Sequence, residues 1–121
     1  MYSSTVLDHF GSPRNIGRPE GTTATGLSGV PDAGPFMRVF LSISKGIILK
    51  SGFETYGCVA SIAAGSVMTT WLLGRTVDEA RSLTQARLLE MLGGLPLGRE
   101  RCAGAALGAL SAALETTSEG A

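Results

Sequence analysis

Phe36-Met37-Arg38-Val39-Phe40-Leu41-Ser42-Ile43-Ser44, then Lys45-Gly46, then Ile47-Ile48-Leu49-Lys50-Ser51-Gly52-Phe53-Glu54-Thr55, is the stretch that decides the fold. Met37, Val39, Leu41 and Ile43 alternate with Arg38, Phe40, Ser42 and Ser44, the period of two of a strand with one face on a core. Lys45-Gly46 can reverse the chain, and residues 47–55 supply a second strand with Ile47, Leu49 and Phe53 in phase. The pattern predicts a β-hairpin.

Downstream of the hairpin the period becomes helical. Val59, Ile62, Ala63, Val67, Thr70 and Trp71 trace one face until Gly74, a helix stop. Thr76 and Glu79 have capping-box spacing and open a short helix with Val77, Ala80 and Leu83 inward. Thr84 caps the next, which carries Leu88, Leu89 and Leu92 before Gly93-Gly94 and Pro96 end it. The last helix begins near Arg99 and runs to about Leu114, with Ala103, Ala106, Leu107, Leu110 and Leu114 on its apolar stripe.

Upstream, residues 2–10 read as a short helix with Val6 and Phe10 on one face. Glycines and prolines make residues 11–20 a loop, residues 21–29 an irregular edge strand at most, and residues 31–35 a turn. Strands first and helices afterwards predict an α+β fold, a small antiparallel sheet of about three strands covered on one face by helices. Residues 1–121 read as one domain, with 116–121 a tail that lacks anchors.

Composition narrows the function classes. With 44% hydrophobic and 17% charged residues the chain can bury a core and is unlike a disordered segment. Ten basic and ten acidic side chains leave no net charge, and acidic residues are interspersed among Arg75, Arg81, Arg87, Arg99 and Arg101. This argues against nucleic-acid binding, which needs a basic face. The longest small-apolar run, residues 102–114, is too short to span a membrane. The first residues lack the basic and apolar regions of a secretory signal, so a cytoplasmic location is expected. The two cysteines form no disulfide framework and are expected as reduced thiols.

Cys58 carries the most chemical information. It follows a predicted strand and opens a predicted helix, where amide groups and the helix dipole favour a thiolate, the form that binds soft metals or attacks sulfur. Cys102 lies near the first turn of the last helix, with Arg99 and Arg101 adding positive potential. Either cysteine could equally be a small buried apolar side chain. His9, on a short helix, reads as a packing or surface histidine. No C-x-x-C or H-x-E pair, phosphate loop or nucleophile elbow occurs, so spacing alone establishes neither a metal site nor an enzyme.

Several spaced motifs, in order along nearly the whole chain, resemble one family. Met1-Tyr2-Ser3, Asp8-His9-Phe10 and Pro13-Arg14-Asn15 are similar to the opening segment of the NifU N-terminal domain and its IscU-type relatives. Phe53-Glu54-Thr55-Tyr56-Gly57-Cys58 with Ser61-Ile62-Ala63-Ala64 resembles the family's second cysteine motif. Gly74-Arg75-Thr76-Val77-Asp78-Glu79-Ala80 and Arg101-Cys102 with Ala105-Ala106-Leu107 match later family stretches.

The resemblance implies an iron–sulfur cluster assembly scaffold. In that family three cysteines and an aspartate, often with a histidine beside the third cysteine, surround a [2Fe–2S] cluster or a zinc ion. Here the G-x-P-x-C-G-D-like turn reads Gly29-Val30-Pro31-Asp32-Ala33-Gly34-Pro35. Ala33 and Pro35 replace a cysteine and the aspartate, and Arg101 stands where the histidine would be. Cys58 and Cys102 remain as metal ligands, with Asp32 as a potential substitute. The proline-rich chaperone-docking segment is also absent, its place taken by Leu95-Pro96-Leu97-Gly98-Arg99.

Alanine and proline side chains have no donor atoms and arginine stays protonated, so these positions cannot complete a four-ligand site in one chain. Three readings follow from the resemblance. Two chains could share a transient [2Fe–2S] cluster, iron or zinc through Cys58 and Cys102. Cys102 could accept sulfur from a cysteine desulfurase for transfer to apo iron–sulfur proteins. The chain could instead bind no cofactor and act as a degenerate, protein-binding paralogue.

Overall fold

The computed structural model describes residues 1–116. Strand β1 spans Ala24–Gly29, β2 Phe36–Ser44 and β3 Ile47–Tyr56, and they form one antiparallel sheet in the order β1-β2-β3. Helix α1 (Ser4–Gly11) precedes the sheet; α2 (Val59–Leu72), α3 (Val77–Arg81), α4 (Gln85–Leu92) and α5 (Arg101–Glu115) follow it. Helices α2 and α5 lie against the sheet, and the core fills the space between. The α+β architecture read from the sequence is the one observed. Thr116 is the C-cap of α5, and the remainder of the expected tail lies outside the described residues.

Lys45 and Gly46 both adopt positive φ, 53° and 75°, which matches the twist a two-residue hairpin turn requires. The phase of β3 differs from the expected one. Ile48 is fully buried, whereas Ile47 and Leu49 are exposed. The register moves from Ile43 opposite Ile48 to Ser42 opposite Lys50, so Leu49 is an extra residue on the β3 side. A bulge of this kind reverses the inward-facing parity, putting Ile48 inside on one side of it and Ser51 and Phe53 on the other. Ile48→Ala is expected to cost about 2–4 kcal/mol, and Leu49→Ala to stay within about 0.5 kcal/mol. Urea midpoints of the two variants check this.

Residues 21–29 read weakly as a strand because Gly, Ser and Thr offer little propensity, yet β1 is a regular six-residue edge strand. Its stability comes from α5, which packs directly on it. On the other edge, Asn15 and Gly17 exchange backbone hydrogen bonds with Phe53 (3.0 and 2.8 Å), so the loop after α1 pairs with β3 and blunts that edge. Phe40 belongs to the outward set but is also buried, with the Arg18 guanidinium 5.7 Å from its ring centre.

Helix α2 is buried on most of its circumference, through Ala60, Ala63, Ala64, Gly65, Ser66, Val67, Met68, Thr69 and Leu72. The stripe expected through Thr70 and Trp71 is therefore displaced: Thr70 is exposed and Trp71 half-buried. Small residues carry little hydrophobic signal but let helix and sheet approach closely. A Cβ on Gly65 would come within 2.5 Å of the Phe53 ring. In α1, Val6 is buried but Phe10 is 40% exposed. The caps follow the local sequence closely. Thr76 and Glu79 form the full capping box, Thr84 accepts from the Arg87 amide, and Gly93 ends α4 in the left-handed region.

Candidate functional site

Cys58 is the N-cap of α2, one residue after Gly57 and two after the end of β3. Cys102 is the second residue of α5 and is 7% exposed. The packing of α2 against α5 brings their sulfurs to 3.7 Å although the residues are 44 positions apart. Both cysteines are free. The Ser61 hydroxyl lies 3.8 Å from the Cys58 sulfur. Gly57 makes room for it, since a Cβ there would approach the Ser61 Oγ to 2.7 Å.

The two thiols are electrostatically unequal. Burial opposes ionisation of Cys58, but the Ser61 and Ala60 amides, the Ser61 hydroxyl and the Cys102 thiol outweigh it and hold its pKa below the ordinary value. Cys102 is pushed up, first by burial and further by the neighbouring Cys58. The expected positive potential beside Cys102 is present at Arg101 and acts in the expected direction, but burial and Cys58 outweigh it. Arg101 is exposed and donates to the Gly98 carbonyl at 3.0 Å, so its pull on Cys102 is only a minor counterweight.

Among the described residues, no group of three or more His, Cys, Asp or Glu is placed to hold a metal ion. Asp32 and Ala33 are exposed in the β1–β2 connection. Asp32 therefore does not join the two thiols. Pro35 borders the small cleft that Ser61 and Ala105 also line, and its side chain has no donor atom to offer a metal. Two sulfurs bound to one tetrahedral metal at 2.3 Å would lie about 3.8 Å apart. The residues present thus fit one edge of a metal's coordination shell and do not close it.

His9 packs elsewhere. Its Nδ1 is hydrogen-bonded to the Ser66 hydroxyl at 2.7 Å, and Ser66 Oγ accepts from the Arg14 amide at 2.9 Å. Ser66 is eight residues beyond Cys58, about 12 Å along the helix axis. Burial, then Arg14, lower the His9 pKa below 6.5, against a smaller opposing effect of Asp8. The folded chain therefore resists a proton that the unfolded chain takes up. The resulting stability is complete above pH 6.5 and is lost as pH falls below it toward the folded-state pKa. Thermal unfolding between pH 7.5 and 5.5 is expected to show a larger decrease for the wild type than for His9→Gln.

Ser61 escaped sequence reasoning as a site residue. The available signal was its place three residues after a helix-opening Cys58, the spacing at which N-cap and N3 side chains meet. The anchoring of the first segment on α2 by Ser66, and by Asn15 with Thr69 at 3.1 Å, had no such local signature.

A sequence model described as the NifU-like N terminal domain matches residues 1–119. The iron-sulfur cluster assembly scaffold protein IscU 1 of Archaeoglobus fulgidus is 38% identical over 114 residues, covering 94% of this chain and 74% of that one. The scaffold protein IscU of Azotobacter vinelandii is 37% identical over 117 residues, covering 93% and 91%. In fold, the chain is similar to the N-terminal part of a NifU-like protein of Brucella abortus, with a TM-score of 0.75 at 21% identity, covering 98% and 95%. Motif order, sequence match and fold agree, and the chain belongs to the NifU-like N-terminal domain family.

Proposed function

We propose that this chain is an iron–sulfur cluster assembly scaffold whose working group is the Cys58–Cys102 dithiol, taking iron or a [2Fe–2S] cluster as cargo and accepting sulfur. The observation that carries this reading is the 3.7 Å separation of the two sulfurs, which matches the bite of a single tetrahedral metal ion. A [2Fe–2S] cluster takes four cysteine ligands. Two copies of the chain, each chelating one iron, would supply them. With only two donors per chain and no closed cage, such cargo would be held loosely, which suits transfer to apo iron–sulfur proteins. Zinc would be accepted by the same pair. A cysteine desulfurase is the matching source of sulfur, and a reducing cytoplasm is the setting that keeps both thiols free.

Anaerobic reconstitution with ferrous iron and sulfide tests this. The expected result is a visible chromophore with about four cysteines per cluster and a species of twice the chain mass. No gain in absorbance would overturn the reading. Unchanged function in a Cys58→Ser/Cys102→Ser variant would instead favour a protein-binding module that uses no metal.

A further inference from the structure

The contact distance of the two thiols and their unequal exposure to solvent suit a second chemistry. Sulfur arriving as a persulfide is at the sulfane level and must gain two electrons before it can serve as cluster sulfide. Two thiols in contact can provide both electrons by becoming a disulfide. We infer that Cys58 takes sulfane sulfur from a persulfide donor and that Cys102 then expels it as hydrosulfide, closing a Cys58–Cys102 disulfide. This rests on the sulfur-accepting reading above and assigns the two thiols separate roles, Cys58 as the entry thiol and Cys102 as the resolving one.

The placement of each residue suits its role. Cys58 is half-buried at a helix start, beside exposed Tyr56 and Gly57, where a donor can reach it. Cys102 is 7% exposed, so an outside persulfide meets Cys58 first. The Cys58 thiolate attacks the outer sulfur of the donor R–S–SH. The donor S–S bond breaks, and the proton of the new persulfide passes to the released R–S⁻. The Cys102 sulfur then bonds to the Cys58 sulfur, and the bond from Cys58 to the outer sulfur breaks. The Cys102 proton leaves with that sulfur as HS⁻. The sulfane sulfur gains two electrons and the two cysteine sulfurs together lose two.

A disulfide bond is about 2.05 Å long, so the sulfurs must approach by about 1.7 Å. Movement of side chains at two helix starts is of the right scale for this. A dithiol reductant of the thioredoxin class reopens the bridge, so the chain acts stoichiometrically and is reset from outside.

The test uses the whole, fully reduced chain under argon, without iron or added reductant. L-Cysteine and a cysteine desulfurase at about one-tenth of the chain concentration supply the sulfur, and sulfide from desulfurase alone is subtracted. The wild type is expected to release about one sulfide per chain and to become about 2 Da lighter. Cys102→Ala and Cys102→Ser are both expected to hold a persulfide about 32 Da heavier on Cys58, with sulfide release reduced about tenfold or more. A wild-type chain that keeps the heavier adduct and releases no sulfide would overturn the inference while leaving sulfur acceptance standing. Absence of any adduct, disulfide or sulfide would overturn both. An adduct on Cys102 in Cys58→Ala at the wild-type rate would overturn the assignment of roles.

Discussion

Gly26→Ala is expected to destabilise the chain by about 3 kcal/mol or more, a large share of the about 5–15 kcal/mol that holds a typical domain together. A Cβ on Gly26 would overlap the Ala109 carbonyl oxygen and the Ala113 amide nitrogen, and would lie 2.9 Å from the Ala112 carbonyl carbon. All three atoms are backbone of α5, so no rotamer change relieves the overlap. The helix rests on β1 at this distance because the strand has no side chain there and the helix presents Ala109 and Ala113, both fully buried. Making room would move α5, which carries Cys102, and would separate the two thiols as well as open the core. Gly11 is the control. A Cβ there meets nothing within 4 Å and its φ is not positive, so Gly11→Ala is expected to be neutral or slightly stabilising. Equilibrium urea unfolding of the two variants is the measurement.

Single replacement of either thiol is expected to weaken iron loading at least about 100-fold, more than the loss of a residue that only supports a ligand. A serine hydroxyl stays protonated near neutral pH and is a poor match for iron beside a thiolate. With one thiol remaining, the chelate closed by the 3.7 Å pair is lost. Ser61→Ala leaves both thiols in place but removes the hydroxyl that favours the Cys58 thiolate. Its loss is expected to raise the Cys58 pKa. Alkylation by iodoacetamide should then be slower at neutral pH, with a profile displaced to higher pH, and iron loading should fall about 10-fold. Far-UV circular dichroism is expected to be unchanged, because the serine hydroxyl is not part of the core. Iron binding that survives in Cys58→Ser at the wild-type level would place the site elsewhere.

The hairpin and most helix ends could be read from sequence because the interactions that set them span only a few residues. Lys45-Gly46 turns the chain, and Thr76 meets Glu79 within one helical turn. The bulge at Leu49 could not be read, since an apolar residue at an odd position looks the same whether it faces the core or solvent. Its direction depends on which β2 residue lies opposite. The buried face of α2 was displaced for a related reason. Alanine, glycine and serine line it, so Ile62 and Trp71 dominated the pattern although neither is fully buried.

The family, the α+β order of elements and the lack of a metal-donor side chain at Ala33, Pro35 and Arg101 were legible in the chain itself, because all three rest on residue identity and spacing. So were Cys58 and Cys102 as the two remaining thiols. That they touch came from the three-dimensional packing, because their approach depends on how α2 and α5 lie against each other. The packing also decided which of the two is the readier thiolate. Helix position and nearby arginines suggested both, but burial raises Cys102, while Ser61 and the amides at the start of α2 lower Cys58. Thiol ionisation is set by solvent access and hydrogen-bond donors in space, and neither is a property of the linear chain.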